Sequence, residues 1–257
     1  MRERKLHTVC EEARCPNIGE CWNHKTATFL ILGDTCTRGC RFCAISKGKP
    51  NALDPEEPQH VAQTVKELGL SHIVVTSVDR DDLPDGGSKH FAQTVSWLKA
   101  LNPGIRVEVL IPDFRGDRAA LETVVGSGID ILNHNVETVP RLYRKVRPGA
   151  FYRRSLDLLQ AAKEIRREIL TKSGLMLGVG ETLEEVMATL RDLRDVGCDI
   201  VTLGQYLQPS TRQLAVARYV TPAEFDDLGK NARELGLRHV EAGPLVRSSY
   251  HAWSHVH

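Results

Sequence analysis

Apolar residues along this chain fall into two alternating patterns. Short continuous apolar runs give way to stretches where apolar positions return every three or four residues. The continuous runs centre near residues 29, 73, 107, 132, 173 and 201 and predict strands. The first is Phe29-Leu30-Ile31-Leu32-Gly33. His72–Val78, Arg106–Ile111 and Ile131–Val136 follow, then a strand within Ile169–Val179 and another over Ile200–Leu207. Helices are expected over Val61–Leu68, His90–Leu101, Arg118–Val125, Pro140–Val146, Arg154–Arg166, Glu184–Val196 and Ala223–Leu235. Gly69, Gly126, Gly197 and Gly236 supply the stops, and Thr221-Pro222 supplies a start. A short helix near Thr8–Arg14 and a last short strand over Arg238–Ala242 complete the pattern. Strands that are apolar throughout are buried on both faces, which is the habit of a parallel sheet covered by helices. The expected fold class is therefore α/β, a partial (β/α)6 TIM-like barrel, since six strong strands are visible rather than eight. Residues 1–28 form an N-terminal cysteine-rich extension, 29–245 the barrel, and 246–257 a C-terminal tail outside any βα unit.

Composition narrows the partners. The chain has 257 residues and 41% hydrophobic content, enough for a substantial core. Its 34 basic and 33 acidic residues leave a net charge of +1. That balance argues for no nucleic acid and no membrane surface as partner. No apolar run reaches the length of a membrane span, and Met1-Arg2-Glu3-Arg4-Lys5 lacks the apolar core of a signal peptide. A cytoplasmic setting is expected, in which clustered cysteines are metal ligands more often than disulfides.

Six of the seven cysteines lie between Cys10 and Cys43. They form two triplets: Cys10, Cys15 and Cys21 before the first strand, and Cys36, Cys40 and Cys43 directly after it. Each triplet is one thiolate short of a four-ligand set, which points to two [4Fe–4S] clusters with incomplete protein ligation. Zinc sites use paired Cys-x2-Cys or Cys/His knuckles and close at four ligands, so zinc is a poor match. The second triplet occupies a loop at a strand end, where α/β proteins place chemistry. An iron left open there can bind a small chelating molecule. Cys198, in a Gly-Cys-Asp turn, reads as a small buried hydrophobe. His72, His90 and His239 read as element-edge residues, and the basic runs at 141–147 and 163–167 as solvated helix faces.

The segment Cys36-Thr37-Arg38-Gly39-Cys40-Arg41-Phe42-Cys43, with aromatic Phe42 before its last cysteine, resembles the cluster motif of radical S-adenosylmethionine enzymes. The resemblance implies an open iron that chelates S-adenosylmethionine and an electron transfer that yields a 5′-deoxyadenosyl radical. Asp85, Gly86 and Gly87 resemble the family loop that meets the S-adenosylmethionine ammonium. Asn133 and Glu137 end the fourth strand, where Glu137 could bond a ribose. Lys172 in the fifth strand could pair a carboxylate. Glu137 and Lys172 each read equally well as a surface salt bridge. Gln205 and Tyr206 close the sixth strand as a candidate adenine or substrate wall.

Residues 7–22, from His7 to Trp22, narrow the resemblance to the lipoyl synthase family. So do Ser77–Leu83, Asn133–Thr138, Lys172–Gly178, Leu203–Leu207 and Arg247-Ser248-Ser249-Tyr250, and the likeness runs from about residue 6 to 252. It implies a serine as fourth ligand of the first triplet's cluster, placed at Ser249 with Ser248 as the alternative. It also implies radical insertion of two sulfur atoms at C6 and C8 of an octanoyl chain, with that auxiliary cluster as sulfur donor and two S-adenosylmethionine consumed. The implied partners are octanoylated lipoyl carrier domains (the glycine cleavage H protein and 2-oxoacid dehydrogenase E2 subunits). An electron donor such as flavodoxin or ferredoxin and an iron–sulfur carrier that rebuilds the spent cluster complete the set. Arg141, Arg144, Lys145 and Arg147 are candidates to meet an acidic carrier domain. Two other readings compete: a sulfur-inserting enzyme resembling biotin synthase, and an iron–sulfur electron-transfer protein. The second is disfavoured because electron carriers fill their iron sites with protein ligands.

Overall fold

The computed structural model describes residues 6–9, 17–250 and 252. Cys10, Cys15 and most of the helix expected near Thr8–Arg14 lie outside them. The chain divides into two compact units. One gathers the described residues up to Arg38, those of 45–132 and those from Ser249 onward; the other gathers 39–44 and 133–248.

In chain order the first unit carries β1 (His7–Thr8), α1 (Ile18–Asn23), β2 (Thr26–Ile31), β3 (Thr35–Cys36), β4 (Ser46–Lys47) and α2 (Glu57–Leu68). Then come β5 (His72–Ser77), α3 (Ser88–Leu101), β6 (Arg106–Leu110), α4 (Arg118–Val125) and the start of β7 (Ile131–Asn133). β2 pairs in parallel with β5, Thr26 opposite His72, and β5 in parallel with β6, His72 opposite Arg106. β1 adds antiparallel to β2. All six residues of β2 are buried, as a strand covered on both faces requires. Phe29, Ile31, Ile73, Val75, Val107 and Val109 from the strands pack fully buried with Phe91, Val95 and Leu98 from α3.

The second unit carries α5 (Tyr143–Val146), α6 (Tyr152–Ile165), β8 (Leu170–Leu177), α7 (Leu183–Asp195), β9 (Ile200–Gln205), α8 (Pro222–Glu234) and β10 (His239–Gly243). β8 and β10 flank β9, both parallel to it. Leu159, Leu190, Leu193, Ile200, Leu203 and Phe225 are fully buried between strands and helices. α7 and α8 both begin with a capping box, Thr182 with Glu185 and Thr221 with Glu224. Each satisfies helix-end donors that would otherwise go unpaired, worth about 1 kcal/mol apiece.

The six expected strands and their alternation with helices are all present, with the short seventh at residues 239–243. The differences are local. The strand expected over Ile131–Val136 stops at Asn133; past it the backbone makes an isolated parallel bridge at Glu137, whose φ of 66° does not fit a continuing strand. His72 begins β5 and His90 lies in the first turn of α3, but both are buried rather than at an edge: His72 Nε2 lies 3.8 Å from Glu108, and His90 Nε2 lies 2.7 Å from Glu57. Cys198 is buried as expected, and burial pushes its thiol up to about 12. Among the described residues no helix is long and apolar enough to cross a membrane.

Candidate functional site

The cysteine loop begins at a strained residue. Leu32, just past β2, is fully buried with φ 69°, a conformation that costs a non-glycine residue about 1–3 kcal/mol. Its surroundings hold it there. Leu32 N donates to Glu57 Oε2 at 2.8 Å, and Arg80 Nη1 donates to Leu32 O at 3.0 Å. His90 and Asp82 in turn anchor Glu57 and Arg80. Gly87 closes the back of this turn. A Cβ there would lie 2.5 Å from Leu32 Cδ1, and its φ of 91° disfavours any side chain.

From Thr35 to Arg38 the loop is bound to the acid-rich segment after β5. Thr37 N and Oγ1 both donate to Asp79 O, at 3.0 and 2.9 Å. Asp81 N donates to Thr37 Oγ1 at 3.1 Å. The half-buried Cys36 donates its thiol to Asp79 Oδ2 at 3.7 Å. Arg38 collects three carboxylates. Its Nε and Nη2 grip Asp81 at 2.7 and 2.8 Å, Nη2 also reaches Asp113 at 2.7 Å, and Nη1 lies 3.5 Å from Asp79. Burial opposes the Arg38 charge, but the bonds to Asp81 and Asp113 and the charge of Asp79 outweigh it and hold its pKa above the usual range. Asp113 is itself fully buried and also accepts from Arg115 N.

Residues 39–44 are held differently. Arg41 N donates to Val146 O at 2.9 Å, Leu214 N to Arg41 O at 2.8 Å, and Gln213 Nε2 to Cys43 O at 3.3 Å. Cys43 N donates to Cys40 O, which bends the loop between the two thiols. Cys40 and Cys43 are half-buried and form no disulfide, and Phe42 between them is partly exposed. Arg147 and Cys40 interact electrostatically. Burial disfavours the Arg147 charge, yet Tyr143, Glu137 and Cys40 hold its pKa above the usual range.

Behind Arg147 lies a buried polar network. Arg147 Nη1 donates to Asn135 O at 2.8 Å, and Asn135 Nδ2 to Glu137 Oε1 at 3.2 Å. Glu137 is pinned by backbone bonds to Gly174 and Met176 of β8. Its carboxyl is raised by burial, against the opposing pull of Arg147 and Asn135. Gly174 makes the approach possible, since a Cβ there would meet Thr202 Oγ1 at 2.6 Å and Asn135 Oδ1 at 3.0 Å. Lys172 and Asn133 are completely buried in the same unit. Three buried atoms here, Asn135 Oδ1, Thr138 Oγ1 and Arg147 Nε, have no partner among the described residues. Orphaned buried polar atoms in such density mark a place for a polar ligand.

Other sequence-predicted residues serve the scaffold. Asp85 accepts from Gly87 N and Lys89 N at the start of α3, and despite partial burial these bonds lower its pKa. Gln205 spends its amide on Tyr206 O, Arg218 O and Val220 N. Tyr206 donates to Leu214 O at 2.6 Å, the residue that also binds Arg41. Tyr206 therefore braces the cysteine loop through Leu214. The sequence signals the carboxylates around Arg38 only through the run Asp79-Arg80-Asp81-Asp82 at a strand end.

Cys21 is buried in α1, and its neighbour Glu20 meets the other end of the chain. Tyr250 Oη donates to Glu20 Oε2 at 3.2 Å, and Ala252 N to Ser249 O at 3.4 Å. Ser249 thus returns to the unit that holds Cys21. Among the described residues no three His, Cys, Asp or Glu side chains converge into a ready metal cage. The donor chemistry nevertheless fits an iron–sulfur cluster: three half-buried, soft thiols, none in a disulfide, stand in one bent loop that hydrogen bonds hold before any metal arrives.

The Radical SAM superfamily profile matches residues 30–193. Lipoyl synthase of Nitrosococcus oceani is 60% identical over 254 residues, covering 98% of this chain and 78% of its own. Lipoyl synthase of Rubrobacter xylanophilus is 59% identical over 252 residues with the same two coverages. That of Roseiflexus sp. is 58% identical over 256 residues, covering 100% and 85%. Among solved structures, methylornithine synthase (PylB) superposes with a TM-score of 0.55 at 17% identity, covering 93% of this chain and 80% of its own. The Streptococcus suis protein SuiB, bound to its precursor peptide, gives 0.65 at 12% identity, covering 88% and 52%. Likeness at such low identity speaks for the fold alone.

Proposed function

Since the chain belongs to the lipoyl synthase family of the radical SAM superfamily, we propose that it inserts two sulfur atoms, at C6 and C8, into an octanoyl chain amide-linked to a lysine of a lipoyl carrier domain. Neither carbon is acidic, so no general base in the protein could activate it. Cys36, Cys40 and Cys43 would hold one [4Fe–4S] cluster, which when bound supplies the electron that cleaves S-adenosylmethionine into a hydrogen-abstracting 5′-deoxyadenosyl radical. Asn133, Glu137 and Lys172 would bind and orient S-adenosylmethionine, supported by the orphaned polar atoms beside them. Arg147 and Asn135 would position Glu137. Asp85, Gly86, Gly87, Gln205 and Tyr206 would shape the site through the backbone they hold. Burial of this network excludes water from a reactive intermediate.

The second cluster is a substrate. Cys10, Cys15, Cys21 and Ser249 would hold it, and its sulfides would supply the inserted sulfur. A serinate is a hard, weakly held ligand for iron beside three thiolates, which suits a cluster that is to be dismantled. The observation that carries this reading is the return of Ser249 and Tyr250 to the unit of Cys21, tied by Tyr250 to Glu20. The reaction would run in the cytoplasm, with an electron donor of the flavodoxin or ferredoxin class and an iron–sulfur carrier to rebuild the spent cluster.

The test is anaerobic reconstitution followed by mass spectrometry of an octanoyl-lysine peptide. We expect two added sulfurs and about eight irons per chain. At most about four irons, with Cys10, Cys15 and Cys21 dispensable for sulfur insertion, would refute the reading. Turnover of dethiobiotin in place of the octanoyl peptide would transfer the chain to biotin-synthase-like chemistry.

A further inference from the structure

The segment from Thr138 to Leu156 carries six basic residues and no acidic one. Because the whole chain is only +1, the remainder is net acidic, and this stretch is a local concentration of positive charge. The fold sorts the six. Arg147 turns inward to Asn135 and Glu137. Arg141 is occupied by Glu185, at 2.6 and 2.8 Å, and by Gly180 O. Arg153 pairs with Asp157 at 2.7 Å. Arg144 and Lys145 remain exposed on α5, and among the described residues neither forms an ion pair.

Two further features stand beside them. Phe151 is 60% exposed, and the Arg154 guanidinium lies over its ring at 4.6 Å from the centroid. An exposed aromatic held flat by an arginine is a preformed contact of the kind that carries binding energy at protein interfaces. The other is continuity with the cysteine loop. Val146, next to Lys145, accepts from the backbone of Arg41, and Arg41 is a further exposed cation between Cys40 and Cys43.

We infer that this ridge, built from Arg144, Lys145, Phe151 and Arg154, is the docking surface for the carrier domain, and that the face it receives is acidic. The inference rests on the proposed function, because the acyl chain must enter beside the loop that the ridge adjoins. A nucleic acid is the weaker occupant. Phosphate backbones are bound by many cations in a row, whereas here Glu185 and Asp157 neutralise Arg141 and Arg153, and Arg147 bonds inward to Asn135. A mixed aromatic and cationic patch with a limited charge count suits a protein face.

The experiment compares two substrates on the reconstituted enzyme: octanoylated H protein of the glycine cleavage system, and a short octanoyl-lysine peptide. Arg144→Glu with Lys145→Glu should lower kcat/KM for the octanoylated H protein by about tenfold, through KM, and leave the peptide unchanged. Phe151→Ala should act in the same direction with a smaller loss. Added salt should weaken the wild-type protein on the H protein toward the level of the charge-reversed variant. Equal losses on both substrates, or no loss on the H protein, would overturn the inference. So would equal titration of the ridge by a single-stranded oligonucleotide. If the wild-type protein turns over neither substrate, the proposed function fails. Calorimetric binding of octanoylated H protein to wild-type and charge-reversed chains still decides the ridge.

Discussion

The segment that ends at Arg38 and the one that begins at Gly39 are one peptide bond apart, yet opposite charges hold them. The first lies among carboxylates, with Arg38 bound to Asp79, Asp81 and Asp113 and the Cys36 thiol donating to Asp79. The second lies beside a cation, Arg147, whose charge acts on Cys40. The two networks also differ in completeness. Arg38 spends its donors on three acids drawn from two loops, and Asp113 is closed further by Arg115 N. Around Arg147, Asn135 Oδ1, Thr138 Oγ1 and Arg147 Nε are buried without partners among the described residues, and the surrounding protein raises the pKa of Glu137 by desolvation. A closed network rigidifies; an open one is held in readiness for a ligand that supplies the missing partners. One arm of the loop, with Cys36, is therefore held in a closed network, and the other, with Cys40 and Cys43, adjoins an open one.

The largest effect should come from opening the closed network. Arg38→Leu leaves buried Asp113 and its neighbours without a counter-charge, and the cost should be about 3–5 kcal/mol in denaturant unfolding of the apoprotein. A loss under about 1 kcal/mol would show that the clamp is ornamental to stability. Arg147→Leu should cost less, about 1–3 kcal/mol, because it removes one bonded donor from Asn135 O and Glu137 can remain protonated beside it. The same variant should bind S-adenosylmethionine more weakly in equilibrium dialysis. If the ranking of these two variants is reversed, the contrast between the closed and the open network is wrong.

The smallest effect is one of pH. Burial raises the Glu137 carboxyl, so the folded chain keeps a proton that the unfolded chain has released. The stability this contributes is complete below the unfolded pKa, near 4.5, and is lost as pH rises through the folded value. Thermal unfolding of wild-type protein should therefore fall, relative to Glu137→Gln, as pH is raised from about 5 to about 8. Parallel curves for the two proteins would mean that Arg147 fully offsets the burial of the carboxylate.

Much of the architecture was legible along the chain. Phe29–Leu32 and Ile73–Val75 are apolar throughout because both faces of those strands are covered, and that reads directly as buried parallel strand. The helix stops at Gly69, Gly126, Gly197 and Gly236 were equally plain. The cysteine loop was visible too, since three thiols within eight residues need no tertiary contact to be recognised. The partners of that loop were not. Arg38 and Asp113 are 75 positions apart, and nothing in either neighbourhood names the other. Gln205 and Tyr206 looked like a ligand wall because they end a strand, yet their polar atoms go to the loop that follows. In the basic stretch, spacing alone could not separate Arg147, turned inward, from Arg144 and Lys145, left in water.

The sequence by itself determined the periodic elements, the family and the two thiol triplets, because each depends on residues that are neighbours in the chain. Only the tertiary structure decided which charges meet, that Leu32 is held in a strained turn at the head of the cysteine loop, and that Tyr250 brings Ser249 back to the unit of Cys21. Hydrophobic burial leaves a periodic trace in the sequence. A charge carries no record of its partner, and the choice is made where loops from distant strands come together and water is excluded.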